Sequence, residues 1–470
     1  MTFLKKLSDE SGQVIVVAAL CLVVMIAFVG LAVDVGHVRY AKRNLQNAAD
    51  AAALAAAMEV RVCGGTANCP AMQAAAQSAL VENGYAGSLL LTNCSGLAGA
   101  ALTLTLNNGP CALGASDPNT GKLSYAEVVV SQQLRTYFAK IVGFDNVPIS
   151  ARAEAAHGLG GPCIYALDPS GPGAITVVGG VGFTSTCAIV DESTSDAALA
   201  CVVGLGISAP KISVSGGAAG LLCGSTPPPT LHVPPPSPAD PLAYLPAPTG
   251  DACPSSSSGP PYYGSATPVN LTLPLLANIV FNPGVYCGGI SITASLLSSI
   301  TFNPGTYILK DGHSTILGIP QPTTGGLQIN IGGLLSSISG SNVLFYNEST
   351  SGGFSVVATS AIGGILPLGS FNLSANTQGE YAGILFFQAH GNTAPGTFVA
   401  SLVSPSNLSG AIYMPDAQLN YAVGVITPSY NILVARDITF TAQILSTVGS
   451  NYATLQSGSP VNGDNAVLVQ

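Results

Sequence analysis

The chain has 470 residues and a formal net charge of −9, yet only 7% of it is charged, against roughly 25% in ordinary soluble domains. Its 55 glycines, 33 prolines and 48% apolar content favour tight turns and buried sheet over solvated helix. Beyond residue 157 three basic residues (Lys211, Lys310, Arg436) stand against twelve acidic ones, so no phosphate-binding surface and no nucleic-acid partner is expected.

Residues 14–33 form an uncharged apolar run of 20 positions, enough to cross about 30 Å of hydrocarbon as one helix. No proline occurs before Pro70, so the helix is predicted to continue beyond the span. A cleavable secretory signal has a shorter core and a small-residue exit. Here the exit is Val33-Asp34-Val35-Gly36, and a retained anchor is the better reading. Gly12-Gln13, on the near side of the run, has the placement of a prepilin-type leader cleavage site. Past the span, Val38, Ala41, Leu45, Ala48, Ala52 and Ala55 recur at spacings of three and four. This narrow seam of small residues suits packing either on the following domain or on another copy.

Between 63 and 157 the pattern predicts a helix over 71–83, strands over 101–106, 126–132 and 147–155, and a short amphipathic helix over 134–142. A helix over a small sheet would bury Leu102, Leu104, Val128, Val130 and Phe138. From 158 onward the chain is Gly-rich and strand-like. IVFNPGVY at 279–286 recurs as ITFNPGTY at 300–307, and 174–179 is echoed at 199–204. Short strands about 20 residues apart with Asn, Pro and Gly turns fit a right-handed parallel β-solenoid, with a β-sandwich as the alternative. Residues 226–265, with two triple-proline runs and four consecutive serines, read as a solvated linker or excursion.

The expected organisation is therefore a cytoplasmic leader (1–13), a transmembrane helix (14–33), an extended amphipathic helix (34–62), a small α/β module (63–157), a Gly-rich β segment (158–225), the Pro/Ser-rich stretch (226–265) and a solenoid-like domain (266–470).

Eleven cysteines are present, and Cys21 lies in the span. The other ten are Cys63, Cys69, Cys94, Cys111, Cys163, Cys187, Cys201, Cys223, Cys253 and Cys287. An even, widely spaced set fits disulfides in an oxidising compartment, with small buried thiols as the alternative; the pairing is not legible, though Cys63 and Cys69 could staple the helix exit. Without a C-x-x-C pair or a Cys/His cluster, no zinc site is expected. Charge counting around the span (Lys5 and Lys6 before it; Arg39, Lys42, Arg43 and Arg61 after it) favours a cytoplasmic C-terminus, whereas the cysteines favour export. Export is the expectation adopted.

Asp191, Ser193 and Ser195 spell the D-x-S-x-S pattern of a metal-dependent adhesion site, whose hard oxygens suit Mg²⁺. That site needs alternating strands and long helices downstream, which this sequence lacks, so a polar turn and no metal are expected. The acids from 263 onward (Asp311, Glu348, Glu380, Asp416, Asp437, Asp464) are thinly spread, and His313 and His390 look isolated. No nucleophile elbow, P-loop or H-E-x-x-H occurs, so neither catalysis nor a cofactor is expected.

The apolar helix, Val33-Asp34-Val35-Gly36 and LQNAADAAALA at 45–55 together resemble the N-terminal region of TadE/TadG-like proteins of bacterial tight-adherence (Flp) pilus assembly. EVVV at 127–130, YFAKIVG at 137–143 and ISARA at 149–153 resemble the same family. The resemblance implies a single-pass inner-membrane protein, N-terminus inside, with its bulk in the periplasm or on the cell surface. Its partners would be the membrane, other pilus or envelope proteins, and another copy through the N-terminal helix. The implied role is a structural component acting through protein contacts. A surface adhesin for glycan or another cell, and an anchored polysaccharide-acting enzyme, are the alternatives.

Overall fold

The computed structural model describes residues 11–470 except 61, 64–65, 93, 95–100, 158–160, 180–182, 204–206, 221–223, 251, 255–261, 295–296, 317–318, 333–334, 359–368, 401–406, 424–429, 442–445, 450, 453–454, 456–457, 462–465 and 470. It comprises two compact units, residues 1–156 with 466–470, and residues 157–465.

In the first unit, α1 (Ser11–Met58) is one helix of 48 residues. Its apolar stretch from Val14 to Val33 is exposed along almost its whole length, and it is long and apolar enough to cross a membrane. The chain leaves α1 through a turn closed by the Cys63–Cys69 disulfide. Helix α2 (Pro70–Glu82) then starts with proline at its first position, where a missing N–H costs nothing, and stops at Asn83 and Gly84. Strands β1 (Leu89–Thr92), β2 (Leu102–Asn108), β3 (Tyr125–Arg135) and β4 (Asn146–Ala156) form a sheet in that order. β1 pairs in parallel with β2, the others are antiparallel, and Val467–Leu468 adds to the far edge of β4.

The alternation of β2, β3 and β4 turns Leu104, Leu106, Val128, Val130, Ala151 and Ala153 into one core, shared with Leu45, Ala48, Ala52, Ala56 and Met72. The small-residue seam of α1 is thus consumed inside its own unit; a second copy could meet only other faces of the helix. One expected element differs. Residues 134–142 do not form an amphipathic helix: β3 continues to Arg135, and only a 3₁₀ turn, Ala139–Val142, follows. The Thr136 hydroxyl donates to the Phe144 carbonyl and the Thr136 N–H to Asp145, closing a β3–β4 hairpin that takes up the backbone groups a helix would have used. Phe138, expected in the core, lies on the hairpin tip and is exposed.

The second unit is almost entirely strand. Parallel ladders dominate it. One runs through Val269–Leu273, Ile290–Ala294, Leu327–Ile331, Phe354–Ala358 and Gly396–Ala400. Another runs through Asn278–Phe281, Ser299–Phe302, Ser337–Gly340 and Ser370–Ser374. A third runs through Gly284–Cys287, Gly305–Lys310, Val343–Asn347 and Ile384–Gln388. All three reach the long strand Asn407–Val423, which pairs with Asn431–Thr441. The earlier strands Ile164–Ala166 and Ile175–Val178 then pair onto Asn431–Thr441, followed by Ile189–Asp191 with Leu199–Val203 and by Ile212–Val214 with Ala218–Ala219. Stacking order is therefore not chain order: residues 163–230 sit beyond residue 441.

This inversion explains the proline-rich stretch. Thr230 bridges Ser213 at one end of the stack and Tyr262 bridges Phe281 at the other, so the chain between them must travel back along it. From Thr230 through Ser213, Val190, Tyr165, Val434, Tyr413, Phe387 and Tyr346 to Ile308 is eight strand steps. Eight steps span about 38 Å at ~4.8 Å each. Residues 231–250 in polyproline geometry reach about 60 Å at ~3.1 Å per residue, with no ladder partner required. The stretch is not simply solvated: Pro241, Leu242, Leu245 and Pro248 are buried. Tyr413 donates to Asp240 at 2.6 Å, Tyr381 to the Pro246 carbonyl at 3.1 Å, and Gly250 abuts Ile308. The Cys253–Cys287 disulfide then ties its far end to the stack.

The repeat at 279 and 300 has a visible cause. Ile279 to Phe281 pair with Ile300 to Phe302 at the sequence shift of 21. Phe281 and Phe302 stack with centroids 5.1 Å apart, and the Asn303 amide donates to the Asn282 carbonyl oxygen of the side chain at 2.8 Å. Tyr286 and Tyr307 each donate to the carbonyl of the Asn four residues earlier, at 2.6 and 2.7 Å. Gly305, at φ 136°, has no room for a side chain because Pro283 lies against it. The second strands of the repeat pair two residues further along, Val285 opposite Ile308, a slip that keeps each side chain on its face. The weaker echo pairs Ile175 with Leu199 and reaches the shift of 25 only after a bulge, at Val178 and Val203.

Candidate functional site

Two places gather polar and apolar groups that packing alone does not explain. The first is where the apolar run of α1 ends. Asp34 is buried, and its carboxylate accepts the backbone N–H groups of Tyr137, Phe138 and Ala139 at 2.8, 2.9 and 2.6 Å. One helical turn earlier, Gly30 faces the Phe138 ring so closely that a Cβ would lie 2.8 Å from its Cγ. One turn later the His37 ring meets Tyr137 edge-on at 5.0 Å. Gly30, Asp34 and His37 share one helix face at spacings of four and three, and together they hold the hairpin tip. The Val-Asp-x-Gly pattern at 33–36 thus places a hydrogen-bonding acid where the apolar run stops. The sequence drew notice to it but gave no sign of its partner a hundred residues away.

The second place is one corner of the strand stack. Asp191 ends the strand Ile189–Asp191; its ladder neighbours are the buried Ala166 and Val214, so its side chain faces the interior. It is 1% exposed, and Oδ2 has no hydrogen-bond partner. Burial pushes its carboxyl up to about 7; the Ser193 N–H opposes this and the nearby Asp168 and Asp437 add to it. Glu192 is 4% exposed with Oε1 unpartnered; burial, then the charges of Asp240 and Asp191, push it up to about 8. Asp240 comes from the proline-rich stretch and accepts from Tyr413, whose hydroxyl also lies 3.1 Å from His390 Nε2. His390 Nδ1 in turn is 3.5 Å from Asp416. Arg436 pairs with Asp437 at 2.7 Å and approaches Asp168 at 4.0 Å.

Two of the thinly spread acids, Asp416 and Asp437, are therefore brought by the stacking to the corner that holds Asp168, Asp191, Glu192 and Asp240, and His390 is not isolated. The missed signal is topological: Asp168, Asp191, Asp416 and Asp437 all lie at or just past strands of one ladder. Ser193 donates to the Gly171 carbonyl of a neighbouring connection at 2.6 Å, and Ser195 Oγ accepts from the Ala197 N–H at 3.2 Å, closing a local turn. Among the described residues no group of three or more His, Cys, Asp or Glu is placed to hold a metal ion.

Four disulfides join eight of the ten cysteines outside the apolar run: Cys63–Cys69, Cys94–Cys111, Cys163–Cys187 and Cys253–Cys287. Cys201 is also disulfide-bonded, and Cys223 lies outside the described residues. Cys21 is a free thiol on the apolar run. Gly12 and Gln13 fall in the first turn of α1, with their side chains outside the described residues. On the outer face of the stack a polar, uncharged groove is lined by Asn270, Ser291, Ser314, Thr323, Thr324 and Gln328.

An apolar N-terminal helix, long enough to cross a membrane, leads into a small α/β unit and is followed by a large all-β unit. Residues 12–59 match the family described as putative Flp pilus-assembly TadE/G-like, so the N-terminal segment is TadE/G-like and covers almost the whole of α1. Comparison with curated proteins and with solved structures returned no match.

Proposed function

We propose that this protein is a membrane-anchored, extracytoplasmic structural component of a tight-adherence pilus assembly system, working through protein contacts and not through catalysis. The observation that carries this reading is a coincidence of two features: the TadE/G-like segment at 12–59 lies on the helix whose run from Val14 to Val33 is exposed and apolar. In this reading residues 14–33 span the inner membrane and both folded units lie in the periplasm or on the cell surface. The four described disulfides, with Cys201 bonded as well, suit that compartment, because thiols stay reduced in the cytosol. The all-β unit is read as a right-handed parallel β-solenoid. This is supported by its parallel in-register ladders and by the strong preference of parallel crossovers for the right hand. Such a body offers a long surface to neighbouring subunits.

The groove lined by Asn270, Ser291 and Gln328 favours a second reading, a surface adhesin, since neutral amides and hydroxyls complement sugar hydroxyls. Deleting the gene and counting pili separates the two. Loss of pili, restored by the intact gene, is expected for a structural component. Normal pili with failed attachment would instead favour the adhesin. Soluble sugar released from envelope polysaccharide by the purified chain would overturn the non-catalytic assignment.

A further inference from the structure

The β3–β4 hairpin tip, residues 136–144, carries an apolar surface that its own unit covers only in part, through Gly30 and His37. Ile141 is 79% and Val142 73% exposed, Tyr137 and Phe144 are more than half exposed, and Phe138 slightly less than half. Exposed side chains of this size on a short loop are a poor match to water. Their position is fixed. Asp34 holds three consecutive backbone N–H groups of the tip, and the Phe138 side chain packs closely against Gly30. Gly30 is inside the apolar run, about 6 Å before Asp34 along the helix axis. The tip therefore lies beside the last turn of the run, continuous with its exposed apolar surface.

We propose that the 136–144 tip is seated in the lipid bilayer, in the interfacial layer next to the end of α1, so that the protein holds the membrane at two points. The proposal rests on the reading of α1 as a membrane span. Its chemistry suits that depth. Tyr137 and the two Phe rings present the amphipathic and apolar faces enriched at membrane interfaces, and Lys140 is long enough to keep its ammonium among headgroups. Asp34 satisfies backbone donors that would otherwise be stranded where water is scarce. The consequence is orientational: a helix alone leaves the exported units free to rotate about it, whereas a second contact fixes which side of the sheet faces the membrane.

The test uses the full chain with Cys21→Ala, in vesicles of phosphatidylethanolamine and phosphatidylglycerol, with a bimane label on one introduced cysteine. Three sites are compared: Ile141→Cys on the tip, Leu113→Cys in the β2–β3 connection, and Val24→Cys in the apolar run. All three side chains are exposed, so the label displaces no core. Doxyl lipids labelled at shallow or deep acyl positions serve as quenchers. The expected result is at least twofold stronger quenching at 141 than at 113 by the shallow label, and quenching at 24 by the deep label. Quenching at 24 with none at 141 overturns the proposal and leaves the span intact, as would occur if another copy or partner covered the tip. No quenching at either site overturns the span reading itself.

Discussion

Arg152 shows how few charges this chain spends and how closely it pairs them. Its guanidinium meets Glu127, Asp117 and Glu154, whose side chains are fully buried, in the sheet of the first unit. Glu127 further accepts from Asn107 and from the Cys111 and Ala112 N–H groups, so the cluster also ties the β2–β3 connection. Removing one partner of such a group leaves buried carboxylates without a counter-charge. Arg152→Ala is expected to cost roughly 3–5 kcal/mol in denaturant unfolding of the detergent-solubilised chain; a loss below about 1 kcal/mol would show the cluster to be solvated. Asp191 and Glu192 make the opposite case. Held up to about 7 and about 8 by burial, they keep protons in the folded chain. The unfolded chain releases them near pH 4. From about pH 4 to pH 8 the folded state therefore binds more protons, and stability falls as pH rises. Glu192→Gln is expected to flatten that fall and to exceed the wild type in stability at pH 8, by on the order of 1–2 kcal/mol. Thermal melts at pH 5 and pH 8 read the difference; an unchanged slope would mean that Glu192 is not buried beneath the proline-rich stretch.

At the scale of elements, what could be read in the sequence followed from local pattern. The apolar run, the alternation of β2 to β4 and the IVFNPGVY repeat all carry their structure within a few residues. The hairpin tip did not, because its aromatic spacing resembles a helix face and only the distant Asp34 and Gly30 turn it into a docked loop. The proline-rich stretch was legible as extended chain but not as packed chain: its need to cross the stack arises from an inverted stacking order that no local signal encodes. The acidic corner was hidden for the same reason. Leu242 and Leu245 anchor the stretch, so the double substitution to Ala is expected to expose residues 231–250 to limited proteolysis and to cost about 4 kcal/mol or more in total. Protease resistance equal to the wild type would show that Asp240 and the Cys253–Cys287 bond suffice to hold it.

The whole molecule joins a low-charge, disulfide-bonded β unit to a TadE/G-like helix long and apolar enough to cross a membrane. Contacts between neighbouring strands made by polar uncharged side chains, such as Asn278 with Ser299 and Asn372 with Asn407, are insensitive to salt in a way that ion pairs are not. The central claim is that α1 carries everything beyond Asp34 across the bilayer. The most direct test is an impermeant maleimide applied to spheroplasts that express Ser339→Cys, an exposed position on the strand stack. The account predicts the same labelling in intact spheroplasts as after lysis. Labelling that appears only after lysis would place the β unit in the cytoplasm and contradict it.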